Sequence, residues 1–63
     1  MRKEIIKDDH KWIIKTGRIS SSGETLYDVE FYEYYDSIKS WRLLSVDRNY
    51  TKEAIEFEFG IKL

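Results

Sequence analysis

Apolar and polar residues alternate along three stretches of the chain, residues 11–19, 25–35 and 40–46. This two-residue period is typical of a β-strand with one buried face. The run Ser-Ser-Ser-Gly at 20–23 separates the first two stretches, and the polar run 36–39 separates the second and third. Such runs favour turns, because Ser hydroxyls bond local backbone groups and Gly accepts a positive φ. The pattern predicts a three-stranded antiparallel meander.

The alternation also predicts which side chains share the buried face of this sheet. Gly17 interrupts the first stretch and indicates either a β-bulge or a close approach of another backbone. The predicted core face comprises Trp12, Ile14, Tyr27, Val29, Phe31, Trp41 and Leu43.

The C-terminal segment fits two kinds of structure. Positions 55, 57, 59, 61 and 63 are all apolar, which on periodicity alone indicates a strand. A helix is favoured by Thr51 as N-cap, Glu53 in the first turn and Gly60 as C-cap. Packing also favours a helix over 51–59, since an apolar sheet face needs a cover. The predicted buried stripe of this helix is Ala54, Phe57 and Ile61.

These elements predict an α+β fold in which a C-terminal helix covers a three-stranded antiparallel sheet. The alternative is an all-β fold, a four-stranded meander or a small barrel, as a monomer or a dimer. Residues 1–10 are charged except for three apolar side chains, and we interpret them as an N-terminal arm or an edge strand, with a loose arm preferred. Residues 11–63 form a single small domain.

Composition limits the classes of function. The chain has 63 residues, no Cys and one His, so we expect neither disulfides nor a Cys-His zinc site, and no cofactor. The net charge of −1 argues against strong non-specific nucleic-acid binding. No apolar run approaches the length of a membrane span, and the charged start does not resemble a signal peptide. We therefore expect a cytoplasmic protein that does not enter a membrane.

Residues suited to catalysis are few. Asp8, Asp9 and His10 are adjacent, so their side chains point apart, and no second cluster completes a metal or acid–base site. Ser20, Ser21 and Ser22 are turn residues without a recognisable base. We interpret the chain as a non-catalytic protein with no catalytic and no metal-binding residues.

The face opposite the predicted core is better suited to binding. It mixes aromatic and aliphatic residues with charges of both signs, as recognition surfaces do. The plain structural alternative is that its apolar side chains pack under the N-terminal arm. A protein partner or a second copy of the chain would use Ile13, Asp28, Glu30, Tyr32, Tyr34 and Leu44.

Three runs carry a family resemblance: Ile13-Ile-Lys-Thr-Gly17, Ser40-Trp-Arg-Leu-Leu-Ser-Val-Asp-Arg48 and Thr51-Lys-Glu-Ala-Ile-Glu-Phe-Glu58. They resemble the amino-terminal, arm-type DNA-binding domain of tyrosine-family integrases from conjugative transposons and phages. The resemblance implies a three-stranded sheet that enters the DNA major groove under a C-terminal helix. It also implies an accessory or regulatory protein of a mobile element, since no catalytic domain accompanies these runs.

The resemblance implies a set of DNA-facing residues. Arg reads guanine bidentately, and Lys and Tyr hold phosphate oxygens. The acids Asp28 and Glu30 on the same face favour the protein-partner hypothesis instead, and we rank duplex DNA first. The implied contacts are Lys15, Arg18, Tyr32, Tyr34 and Arg42, with Lys39 and Arg48 flanking the phosphates.

Overall fold

A four-stranded antiparallel sheet and one C-terminal helix make up the fold in the computed structural model, which describes residues 1–63. The strands are ordered along the sheet as they are along the chain. The predicted combination of an antiparallel sheet with a C-terminal helix is confirmed, and the sheet has one strand more than expected. The elements are β1 (Arg2–Lys7), β2 (His10–Ile19), β3 (Thr25–Tyr35), β4 (Ser40–Tyr50) and α1 (Lys52–Phe59).

The additional strand is formed by the N-terminal residues, which make an edge strand instead of a loose arm. β1 pairs with β2 from Arg2 opposite Lys15 to Lys7 opposite His10. The connecting turn contains Asp8 at φ 55°, a left-handed conformation that Asp tolerates better than most residues. The single apolar side chain of β1 on the core side, Ile5, packs against the buried cluster.

The helix α1 begins and ends at the residues expected from capping chemistry. The Thr51 hydroxyl accepts a hydrogen bond of 3.1 Å from the backbone N–H of Ala54. Gly60 is left-handed at φ 65°, and its N–H donates to the carbonyl of Glu56 at 3.0 Å. These bonds satisfy groups that a helix end leaves without partners. With eight residues, the only helix falls short of what a membrane-crossing helix requires.

The buried stripe of α1 differs from the predicted one. Ile55 is 0% exposed and Phe59 packs against the core, whereas Phe57 is 92% exposed. Residues four apart share a helix face and residues two apart do not, so burying Ile55 and Phe59 turns Phe57 to solvent. Only Thr51 separates β4 from α1, so the helix begins directly beside the end of the sheet.

The core lies between α1 and the sheet and is small. Ile14, Val29 and Ile55 form its buried centre. Trp12 stacks on Phe31 at 5.2 Å between ring centroids. Around this centre pack the partly buried side chains of Ile5, Trp12, Tyr27, Tyr50, Phe59, Ile61 and Leu63.

Two apolar residues of β4 lie on the face opposite to the predicted one. Trp41 lies opposite Tyr34 and Leu43 opposite Tyr32, on the face away from α1. Arg42 lies opposite Glu33 and therefore points to the helix side. The assignment of Trp41 and Leu43 to the core, and of Arg42 to the other face, was wrong. Which face a strand presents depends on its register with the neighbouring strand, and alternation within the strand does not define this register.

Two β-bulges in β4 change the alternation of the residues that follow Leu43. Leu44 is an extra residue between Leu43 and Ser45, which pair with the adjacent residues Tyr32 and Phe31 of β3. A second irregularity lies between Asp47 and Tyr50. Each bulge changes which residues face the core. Of the β4 side chains, Tyr50 packs against the core cluster.

Tyr50 also ties the sheet to the helix through a polar contact. Its hydroxyl donates a hydrogen bond of 2.8 Å to the carboxylate of Glu58. The pKa of Tyr50 is raised to about 12, chiefly by this bond. Burial and the nearby negative charges of Glu58 and Asp47 make smaller contributions in the same direction. The neutral form of the phenol is therefore the form that the fold stabilises.

We expect this contact to make stability fall in alkaline solution. Unfolded Tyr50 loses its proton near pH 10, whereas folded Tyr50 keeps it to about pH 12. The contribution of Tyr50 is therefore complete below pH 10 and is lost as the pH rises from 10 to 12. Urea unfolding at pH 9, 10, 11 and 12 measures this decline. In Tyr50→Phe the decline should be shallower, and an identical decline in both proteins would contradict the assignment.

Candidate interaction surface

The sheet has an outer face, directed away from α1, whose side chains form rows across the strands. Residues opposite each other in antiparallel strands lie side by side on one face, so the register defines these rows. A charged row contains Glu4, Ile13, Glu30 and Val46, and the next row contains Ile6, Lys11, Tyr32 and Leu43. Tyr34 and Trp41 form a third row at one end of the sheet.

Glu30 holds the charged part of this face together. Its carboxylate lies 3.0 Å from the Lys15 ammonium and accepts a hydrogen bond of 2.8 Å from the Tyr32 hydroxyl. The bond to Lys15 lowers the pKa of Glu30, and the bond to Tyr32 lowers it further by a smaller amount. The same carboxylate raises the pKa of Tyr32, because a charged acceptor favours the protonated phenol. Glu30 is thus kept ionised and Tyr32 neutral.

Three further charges of the outer face are also paired. Arg2 lies 3.1 Å from Glu4, and the Lys11 ammonium lies 4.0 Å from Glu4. Ile13 stands between Glu4 and Glu30 in its row and is only 4% exposed. The predicted contact residue Ile13 is therefore buried beneath its charged neighbours and is not offered to a partner.

Lys11 organises the aromatic part of the outer face. Its ammonium lies 5.0 Å from the ring centroid of Tyr32 and 4.8 Å from that of Trp41. The Lys11 side chain is 14% exposed, so its stem lies along these rings. Trp41 in turn meets Tyr34 edge to face, with 5.3 Å between centroids. Cation–π and edge-to-face contacts fix the orientation of all three rings.

We name this region the aromatic patch and define it by six residues. Ile6 and Leu43 at its sides are each more than half exposed. Nothing in the chain covers it, since α1 and the C-terminal tail pack on the other face. Its members are Ile6, Lys11, Tyr32, Tyr34, Trp41 and Leu43.

The seven residues predicted to contact DNA do not form one surface. Lys15, Tyr32 and Tyr34 share the outer face. Arg42 is on the helix side, with its guanidinium 5.8 Å from the ring centroid of Tyr35. The other predicted contacts lie at irregular positions: Arg18 at the β2 bulge, Lys39 in the β3–β4 turn, and Arg48 at the second β4 bulge.

Two further predicted contacts, Asp28 and Leu44, lie away from the aromatic patch. Asp28 is opposite Lys15 at the charged end of the outer face. Leu44 is the extra residue of the first β4 bulge and is exposed. Sequence reasoning missed Ile6, Trp41 and Leu43 as surface residues. A strand assignment for residues 2–7 would have revealed Ile6, but the β4 register leaves no sequence signal for the other two.

The acidic and imidazole groups are dispersed. His10 stacks on Phe31 at 5.4 Å between centroids, and its Nε2 lies 3.5 Å from Glu33. This places the imidazole on the helix side. No three His, Cys, Asp or Glu side chains are grouped so that they would hold a metal ion.

In comparisons with known proteins, no family model, no curated protein and no solved structure matches this chain. The similarity to integrase arm-type domains therefore rests on the three short runs and stays a prediction.

Proposed function

We propose that the chain is a non-catalytic binding module that holds another protein through the aromatic patch. The observation that carries this proposal is an uncovered set of ordered aromatic and aliphatic side chains on the outer sheet face. Tyr and Trp are enriched at the centres of protein interfaces, where they give large contact areas for little loss of side-chain entropy.

The electrostatics of the outer face also favour a protein partner. Lys15 and Arg2 are paired with acids of the same chain, which leaves little uncompensated positive charge for phosphates. Lys11 is occupied by the two rings above which it lies. A suitable partner presents an apolar centre to the patch and polar groups to the charged row beside it.

The exposed members of the patch allow a direct test. Ile6→Asp combined with Leu43→Asp places two charges in the patch without emptying the core. The matched control is Phe57→Asp, which introduces a charge at the 92% exposed position on the opposite side of the molecule. The tagged chain and both variants are used to capture partners from a lysate, with quantitative mass spectrometry.

We expect the double variant to lose at least about tenfold of the specifically captured protein, because a charge in an interface centre is costly. The Phe57 control should retain it. Equal capture by the double variant and the unchanged chain would overturn the proposal, as would the absence of any specific partner. Circular dichroism of each variant verifies the fold.

Duplex DNA is the second candidate. Arg18 donates a hydrogen bond to the side chain of Asn49, which brings two strand ends together beside Arg48. These two arginines lie near a polar hollow lined by residues 45–49. They provide a site for phosphate contacts at the edge of the sheet.

Titration of duplex DNA at low and moderate salt tests this candidate. Phosphate contacts release counterions, so binding should weaken steeply as salt rises. Arg18→Ala and Arg48→Ala should each reduce the salt dependence, whereas Lys3→Ala on the distant edge strand should not. Absence of binding at low salt would remove this candidate and leave the protein-partner proposal intact.

A further inference from the structure

The strand β4 is an open edge of the sheet. It is eleven residues long, and every side chain from 42 to 49 is exposed. An edge strand presents backbone N–H and C=O groups that can pair with another strand. Three apolar residues on β4 are exposed at this edge: Leu43, Leu44 and Val46.

The side chains of β4 are arranged symmetrically about its first bulge. Arg42 and Asp47 lie opposite Glu33 and Val29, so both point to the helix side. Leu43 and Val46 lie on the outer face, opposite Tyr32 and Glu30. The bulge of Leu44 and Ser45 occupies one position of the sheet, because these two residues face Phe31 alone. Arg42 and Leu43 therefore mirror Asp47 and Val46 across the bulge.

We propose that β4 pairs antiparallel with β4 of a second copy of this chain, about a two-fold axis through the bulge. This register places Arg42 opposite Asp47 of the second copy, and the symmetry generates the pair twice. On the outer face it places Leu43 opposite Val46, again twice. Opposite charges and apolar pairs facing each other directly are stabilising cross-strand contacts.

The charges favour this register over the two that are centred on Arg42 or on Asp47. An axis through Arg42 sets the two copies of Arg42 against each other, and an axis through Asp47 does the same for the acids. The four ion pairs within the chain, Arg2–Glu4, Lys11–Glu4, Lys15–Glu30 and His10–Glu33, include neither Arg42 nor Asp47. One Asp47 oxygen accepts a hydrogen bond of 3.0 Å from the Asn49 backbone N–H, and neither residue has an ionic partner within the chain. Both charges can thus pair with a second copy.

The other open edge is less suitable for self-pairing. β1 has six residues, and an axis through Glu4 opposes the two copies of this acid. An axis through Ile5 places Lys3 opposite Lys7. Like charges directly opposite each other are destabilising, and lysines on an edge strand discourage pairing.

The rest of the fold leaves room for the second copy and gains from it. α1 lies over β3, and its C-terminal Phe59 packs against Trp12 and lines a groove with Ile5. A two-fold axis perpendicular to the sheet joins two outer faces on one side of an eight-stranded sheet. Four of the 63 residues are buried in the single chain, and association is a common route by which small domains gain stability.

Charge reversal tests the register directly. The mass in solution is measured by light scattering coupled to size exclusion over a range of concentrations. We expect the unchanged chain to form a dimer, and Arg42→Asp or Asp47→Arg to weaken it by about tenfold or more. Mixing the two variants in equal amounts should restore a dimer, because each reversed charge then faces its opposite. The control Lys3→Glu on β1 should dimerise as the unchanged chain does.

A monomer at all concentrations, or no recovery of the dimer on mixing, would overturn the proposal. Urea unfolding of each variant distinguishes lost association from lost folding, and the mixing result is immune to a general destabilisation. The dimer shares Leu43 with the aromatic patch, but Arg42 and Asp47 lie outside the patch, so their variants test the dimer alone. A dimer that captures no partner supports self-pairing without the patch proposal, and a monomer that captures a partner supports the patch proposal without self-pairing.

Discussion

Ile55→Ala is expected to lower the free energy of unfolding by about 2–5 kcal/mol, the range for removing a large aliphatic side chain from a packed core. Ile55 is 0% exposed and is the only residue of α1 that is fully buried. It contributes to the central cluster with Ile14 and Val29. A domain of this size has a stability of only a few kcal/mol. The variant should therefore be largely unfolded at 25 °C.

Phe57→Ala is the matched control for this prediction, because it removes a larger side chain from the same helix. Phe57 is 92% exposed, so its truncation should change stability by no more than about 0.5 kcal/mol. Urea unfolding followed by the fluorescence of Trp12 and Trp41 measures both variants. A loss at Phe57 as large as that at Ile55 would show that the helix docks through the other face.

For the helix, the local sequence predicts the ends of the element but not the face that docks on the sheet. Thr51 and Gly60 define its ends through bonds to nearby backbone groups, and such bonds depend on a few consecutive residues. Its docking face depends on contacts with residues far away in the chain. The apolar side chains of 54–61 allow two stripes, and the contacts of Ile55 and Phe59 with the core of the sheet distinguish between them. The element was therefore predictable from the sequence, and its orientation was not.

In the sheet, too, the elements were predictable from the sequence and the orientation of one strand was not. Turn chemistry at 20–23 and 36–39 predicted the β2–β3 and β3–β4 hairpins, which the structure contains. The bulge at Leu44 and Ser45 has no marker such as Gly or Pro, and it shifts the sheet face on which the residues after it lie. Trp41 comes before this bulge, and its face follows from the pairing with Tyr34 in the β3–β4 hairpin. Alternation within β4 does not define this pairing, so Trp41 was assigned to the core although its ring contacts Lys11 on the outer face.

The candidate site was predictable where it depends on β2 and β3. Alternation placed Lys11, Lys15, Glu30 and Tyr32 on one face, and the structure has them there. The predicted face lacked Trp41 and Leu43 of β4. It therefore lacked the Trp41 ring, which is the second ring that Lys11 contacts. Of the charges predicted to meet DNA, Lys15 pairs with Glu30 on the outer face and Arg42 lies on the helix side, because the sequence shows charges but not their partners.

Gly17→Ala is the second substitution with a large expected effect. A Cβ at this position would lie 2.8 Å from the carbonyl oxygen of Leu26 and 2.8 Å from the carboxylate of Asp28. Both distances are shorter than a Cβ tolerates, so the strands must separate where β2 bulges. Overpacking of this kind costs about 1–3 kcal/mol. Urea unfolding of the variant measures the loss.

A double-mutant cycle separates the two close contacts. The Asp28 side chain can rotate away, whereas the Leu26 carbonyl belongs to the backbone of the paired strand. Combining Gly17→Ala with Asp28→Ala should therefore recover only part of the loss, relative to Asp28→Ala alone. Full recovery would assign the strain to the carboxylate, and no recovery would assign it to the backbone. A stability unchanged by Gly17→Ala would contradict the close approach, because the added methyl group would then have space between β2 and β3.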